Sequence, residues 1–243
     1  MAHGTPDWGL VGPKSITYGL DDLGEAVVRL GSPQLWDRRG DVLALTDFRE
    51  GLGHFYTDVS GVGAEVLLCT GHSRSGAYSV CLRAGSGVGR YALIHAALPF
   101  QDPSCVGMEF SFSVANWTES VRAYVEWYDG TNRHYAWALY DHVLSQLAYQ
   151  VHGVGWVVAQ AGVALHQCTR PEHTFKLVVD MSLGEYLRFL VDELAPNVRG
   201  AVVPWLASAV EPYWYFAIWH TGAAGWNPDV YIDNVIITQN EPR

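Results

Sequence analysis

The chain has 243 residues, of which 49% are hydrophobic, 16% charged and 13% aromatic, and 15 Lys and Arg face 25 Asp and Glu for a net charge of -10. So few charges beside so many aromatics exclude intrinsic disorder, collagen and coiled coil. The acidic balance argues against nucleic acid as a partner, and no apolar run reaches the roughly 18 residues that would cross a membrane.

The first ten residues, MAHGTPDWGL, carry no basic or apolar leader pattern, so no signal peptide is expected. Gly and Pro interrupt residues 1–45 throughout. One short helix fits there: Asp22 caps it, Glu25 stands three residues on, Leu23, Ala26, Val27 and Leu30 form one apolar stripe, and Gly31 stops it. Two helical turns are marginal in water and need a surface to lie on. Residues 1–45 are therefore expected to be an extended assembly arm. Trp8 and Trp36, with Leu23, Val27 and Leu30, are its anchors on a neighbouring subunit or partner protein.

From residue 46 to 243 the period changes to two. Met108, Phe110, Phe112 and Val114 alternate with Glu109, Ser111 and Ser113. Val121, Ala123, Val125 and Trp127 alternate with Arg122, Tyr124, Glu126 and Tyr128, and Phe175, Leu177, Val179 and Met181 with Thr174, Lys176, Val178 and Asp180. Leu187, Phe189 and Val191 continue the pattern against Arg188, Leu190 and Asp192. These segments read as half-buried antiparallel strands separated by turns such as Asp129-Gly130-Thr131-Asn132. An all-β chain of this size, with roughly ten to twelve strands, folds as a two-sheet antiparallel jelly-roll sandwich.

Few residues spell a chemistry. The four cysteines form no CxxC and read as reduced, mostly buried side chains, and the ten histidines form neither HxH nor HExxH, so no metal site is expected. Glu126 and Asp129 are the nearest approach to a glycosidase acid pair, but the third acid is missing and the strand runs into a turn. The Ser-rich segment Gly71 to Gly76 joins two strands and is no nucleophile elbow. No catalytic residue is expected, and Arg39-Gly40-Asp41 reads as a β-turn.

Asp47-Phe48-Arg49-Glu50 opens the domain, Arg74-Ser75-Gly76-Ala77-Tyr78-Ser79-Val80 follows, and Asp229-Val230-Tyr231-Ile232-Asp233-Asn234-Val235 closes it. This order resembles jelly-roll carbohydrate-binding modules and laminin-G or concanavalin-like sandwiches. An arm before a jelly roll is also similar to bacteriophage virion proteins of the capsid-decoration or tail type. The first resemblance implies a structural calcium ligated by the acid after the opening Phe and by Asp233. Here Arg49 stands in the first position, and a cation cannot ligate calcium. Calcium is therefore disfavoured, and Arg49 is expected to pair with Asp233 instead.

The aromatic residues carry the remaining signal. Tyr213-Trp214-Tyr215-Phe216-Ala217-Ile218-Trp219 is apolar on both faces, so Tyr213, Tyr215 and Trp219 need cover from the arm or a second subunit. Tyr124 and Tyr128 lie on the polar side of their strand and are the candidates for stacking a sugar ring. The expected function is that of a non-enzymatic structural protein of a particle. It would form homo-oligomers, bind other particle proteins through its arm and, as the phage resemblance implies, belong to a virion assembled in the host cytoplasm. The alternative is a glycan-binding module.

Overall fold

The computed structural model describes residues 39–74, 76–99, 104–208, 213–223 and 225–243. They form two packed antiparallel sheets, and no helix occurs among them. The expected helix and its anchors Trp8, Leu23, Val27, Leu30 and Trp36 lie outside the described residues.

The strands in chain order are β1 (Asp41–Thr46), β2 (Tyr56–Val62), β3 (Glu65–Cys69), β4 (Ser79–Arg83), β5 (Ser86–Pro99), β6 (Cys105–Phe112), β7 (Thr118–Tyr128) and β8 (Asn132–Asp141). There follow β9 (Gln146–Val151), β10 (Gly155–Ala161), β11 (His173–Asp180), β12 (Glu185–Val191), β13 (Trp205–Ala207), β14 (Tyr213–Gly222) and β15 (Asp229–Gln239). One sheet runs β12-β11-β6-β15-β4-β3, with β1 also paired to β15. The other runs β10-β9-β8-β7-β14-β5-β2, with β13 added to β8. Strand β1 begins at Asp41, so the sandwich starts a few residues before the boundary expected at residue 46.

The alternation read from the sequence determines which side chains meet between the sheets. Phe110, Phe112 and Phe175 from the seven-stranded sheet, and Val125, Trp127, Trp214 and Phe216 from the eight-stranded sheet, are at most 1% exposed. At about 25 cal/mol per Å2 of apolar area removed from water, this core drives the closure of the two layers. Tyr186 adds a directional tie across it. Its hydroxyl donates toward the Gln150 carbonyl at 2.8 Å and accepts the Trp137 amide at 3.0 Å, joining β12 to β8 and β9.

Closing strand β15 changes partner midway. Asp229 to Ile232 pair with β4, while Val235 to Gln239 pair with β1. Asn234 has φ 49° between the two, a left-handed conformation that Asn tolerates better than most residues. That bulge explains locally why Asp233-Asn234 stands inside an otherwise apolar strand.

The outer side of the seven-stranded sheet departs from the half-buried expectation. Glu109 is 5% exposed and Lys176 and Asp180 are fully buried. The C-terminal segment crosses this side: Glu241 reaches Lys176 Nζ at 3.0 Å and Arg188 Nη2 at 2.5 Å, while Arg243 reaches Asp180 at 2.7 Å. Gly107 leaves room for it, since a Cβ there would stand 2.9 Å from the Glu241 carboxylate.

Candidate functional site

The outer side of the eight-stranded sheet is built differently. Where Val121, Ala123, Val125 and Trp127 of β7 face the core, Arg122, Tyr124, Glu126 and Tyr128 face away. The same alternation turns Tyr213, Tyr215 and Trp219 of β14, Trp137 of β8, Tyr91 and His95 of β5, and Tyr56 of β2 onto that side. Register then aligns the strands: Tyr124 pairs with Trp137 on one side and Ala217 on the other, Ala217 with His95, and His95 with Tyr56.

The rings form one continuous chain across five strands. Successive centroid distances are 5.6 Å from Tyr56 to His95, 4.9 Å from His95 to Tyr215 and 5.8 Å from Tyr215 to Tyr124. The chain continues at 4.2 Å from Tyr124 to Trp137, 5.2 Å from Trp137 to Trp219 and 4.6 Å from Trp219 to Tyr91. At its far side the Arg122 guanidinium lies 6.0 Å over the Trp156 ring.

Glu126 anchors this surface from below. Its carboxylate is 5% exposed and accepts Tyr124 Oη, Arg133 Nε at 2.8 Å, Arg133 Nη2 and Tyr213 Oη at 2.9 Å. A buried carboxylate is tolerable only with such charge-assisted partners. Burial and the Glu126 charge push the Tyr124 and Tyr213 phenols well above their ordinary pKa, and Tyr215 is pushed up to about 12. The phenols therefore stay protonated as donors. Burial opposes the Arg133 charge, but its bond to Glu126 overrides this and raises the guanidinium pKa.

Two expectations about these residues need correction. Tyr124 and Tyr128 lie on the predicted side but are only 5% and 8% exposed. Tyr124 is covered by Trp137 and Tyr215, and Tyr128 by Tyr213 and Arg133. They are the floor of the surface rather than stacking platforms. The half-buried rings of Trp137, Tyr215, Trp219 and Tyr91, with exposed Tyr56, present the accessible area. The second correction concerns Arg49. It pairs with Asp47 at 2.5 Å, whereas Asp233 accepts the backbone amide of Arg74 at 2.8 Å. The Arg74 guanidinium binds the carbonyls of Pro171 at 3.1 Å and Glu172 at 2.8 Å, so Asp233 is met by a backbone amide where the Arg49 side chain was expected.

The carboxylates on this surface are far apart. Asp58, which accepts the Tyr91 hydroxyl at 3.2 Å, stands three strands and four residues from Glu126 by register. At sheet spacing that is roughly 20 Å, against the roughly 5–9.5 Å that glycoside hydrolysis requires. Asp129 caps its turn by accepting the amides of Thr131 and Asn132. A different cluster, His166, Cys168 and His173, lies in the loop before β11 and its first residue. No metal site was expected from the sequence because the spacing matches no common zinc pattern and the supporting carboxylate, Asp192, comes from the turn after β12.

All four cysteines are free, and Cys69 lies opposite Ser79 in the β3–β4 pairing. Elsewhere, Trp117 and Trp226 stack at 4.5 Å on the surface.

No protein-family model and no curated protein sequence matches the chain. Solved structures do match. A carbohydrate esterase of Shiga toxin-encoding bacteriophage phi24B is 15% identical with a TM-score of 0.51, over 83% of this chain and all of that one. A galectin-like protein of unknown function from Bacillus subtilis is 9% identical with a TM-score of 0.49, over 84% of this chain and 99% of that one. A sialidase is 12% identical with a TM-score of 0.49, over 83% of this chain, which spans only 19% of the sialidase. At 15% identity the likeness to the esterase is one of fold alone: the chain is an all-β antiparallel jelly-roll sandwich.

Proposed function

We propose that the protein is a non-enzymatic glycan-binding module whose ligand lies on the outer side of the eight-stranded sheet. The observation that supports this is the continuous ring chain from Tyr56 to Tyr91 beside buried Glu126, which is paired with the partly exposed Arg133. Sugar rings present apolar C–H faces that pack on aromatic rings, and their hydroxyls suit the Arg, Tyr and Asp groups interspersed here. A glycan array probed with the full chain tests the reading. Binding that is lost in Trp137→Ala and Trp219→Ala supports it; no binding to any glycan, or binding unchanged in both variants, overturns it.

The second reading assigns the same surface to a neighbouring subunit of a virion, as a homo-oligomer or with other particle proteins. It draws on Tyr213, Tyr215 and Trp219, which remain half-buried rather than covered within the described residues. Light scattering without sugar separates the two. A stable oligomer broken by Trp219→Ala favours assembly, and a monomer favours the glycan module.

A further inference from the structure

The segment between β10 and β11 brings His166 and Cys168 against His173, the first residue of β11. One nitrogen of each imidazole and the Cys168 sulfur all lie within 4.8 Å of one another. His173 is 2% exposed and packs 5.5 Å from the Phe112 ring, while His166 opens to solvent. The backbone holds the cluster in place: the Cys168 amide donates to the Val114 carbonyl at 2.9 Å, and Arg74 clamps the carbonyls of Pro171 and Glu172.

Each imidazole also meets a carboxylate. His173 Nδ1 faces Asp192 Oδ2 at 2.7 Å, and His166 Nε2 faces Glu172 Oε2 at 3.0 Å. Asp192 is itself fixed by the Thr174 amide at 2.8 Å. Metal-bound histidines almost always carry such a carboxylate or carbonyl on the second nitrogen, which orients the ring and raises its basicity. His173 Nε2 then points at the His166 carbonyl oxygen, 2.8 Å away. For Nε2 to ligate an ion, that carbonyl must turn aside, while Asp192 keeps its place on Nδ1.

We propose that His166, Cys168 and His173 bind a divalent ion of the zinc class, through His166 Nδ1, the Cys168 thiolate and His173 Nε2. Two imidazoles and a thiolate suit zinc and its late first-row neighbours, and they disfavour calcium and magnesium, which take oxygen ligands. Three protein ligands leave a fourth position on the solvent side, where His166 is exposed. Ligation takes Cys168 as the thiolate and His173 through an unprotonated Nε2, so metal binding is coupled to proton release. This site lies outside the aromatic surface and does not rest on the glycan reading.

Cobalt(II) titration of the reduced full chain tests the proposal. One equivalent should bind with a thiolate-to-cobalt charge-transfer band in the near ultraviolet, and zinc should displace it and raise the melting temperature. Cys168→Ser should abolish the band, and His166→Ala, at an exposed position that does not carry the core, should weaken zinc at least tenfold. Asp192→Asn should weaken it by about 10- to 100-fold. No stoichiometric uptake by the reduced wild-type chain overturns the proposal, as does uptake unchanged in both Cys168→Ser and His166→Ala.

Discussion

The outer sides of the two sheets start from the same pattern, with one residue in two turned away from the core, and end as opposites. On the seven-stranded sheet the outward residues are charged and buried, closed under the C-terminal segment by the Lys176, Arg188 and Glu241 network. On the eight-stranded sheet they are aromatic and half-exposed, and buried Glu126 pairs there with the partly exposed Arg133. Burial thus does not follow from residue type. Long polar side chains are buried where a further segment brings them partners, and rings stay accessible where none of the described segments crosses them.

The largest effect at neutral pH should come from breaking the sealed side. Glu241→Gln removes the nearer carboxylate, 3.0 Å from fully buried Lys176, while Glu109 remains at 3.7 Å, so the loss should be that of a buried charge-assisted hydrogen bond, about 1.5–3 kcal/mol. Chemical denaturation measures it, and ligand binding on the aromatic side should not change. A stability loss below about 1 kcal/mol would show that the seal is not electrostatic.

Acid should loosen the sandwich next. His220, fully buried on β14, is held down to about 4 chiefly by burial, against an ordinary value of 6.5. Its neutral ring contributes stability that is fully present above pH 6.5 and is lost as pH falls through about 4. The unfolded chain binds that proton first, so the loss approaches about 3 kcal/mol. Melting curves from pH 7 to 4 should show the decline, and His220→Gln should flatten it.

Smaller effects should mark the open side. Trp137→Ala should lower glycan affinity about tenfold through the lost ring contact, with a smaller loss of stability than Glu241→Gln. Tyr56→Ala, at the exposed end of the ring chain, should change stability by less than about 0.5 kcal/mol and affinity by only a few-fold. If Tyr56→Ala proved as damaging as Trp137→Ala, the ligand would sit over β2 and β5 instead of the centre of the sheet.

The alternation in β6, β7, β11 and β12 was readable directly, because period two reports which side each residue takes. It correctly placed Trp127 in the core and Tyr124 and Tyr128 outside. Their burial was not readable, since it depends on Trp137, Tyr213 and Tyr215 arriving from other strands by register. Arg49 shows the same limit. Its sequence neighbour Asp47 captured it, while Arg74 reached Asp233 across 159 positions of chain. The His166, Cys168 and His173 cluster needed Asp192, from the turn after β12, to be recognisable, which no local spacing reveals.

The pairing of β1 with β15 has a practical consequence. Asp41 lies opposite Gln239, so the chain enters and leaves the sandwich at one place. A linker from Arg243 back to Asp41 would keep Glu241 and Arg243 in place, and new ends could be opened at the exposed Gly153-Val154 turn between β9 and β10. The sandwich is in this sense a closed loop of chain, suited to being carried as an insert within another protein when the segment through Arg243 is carried with it.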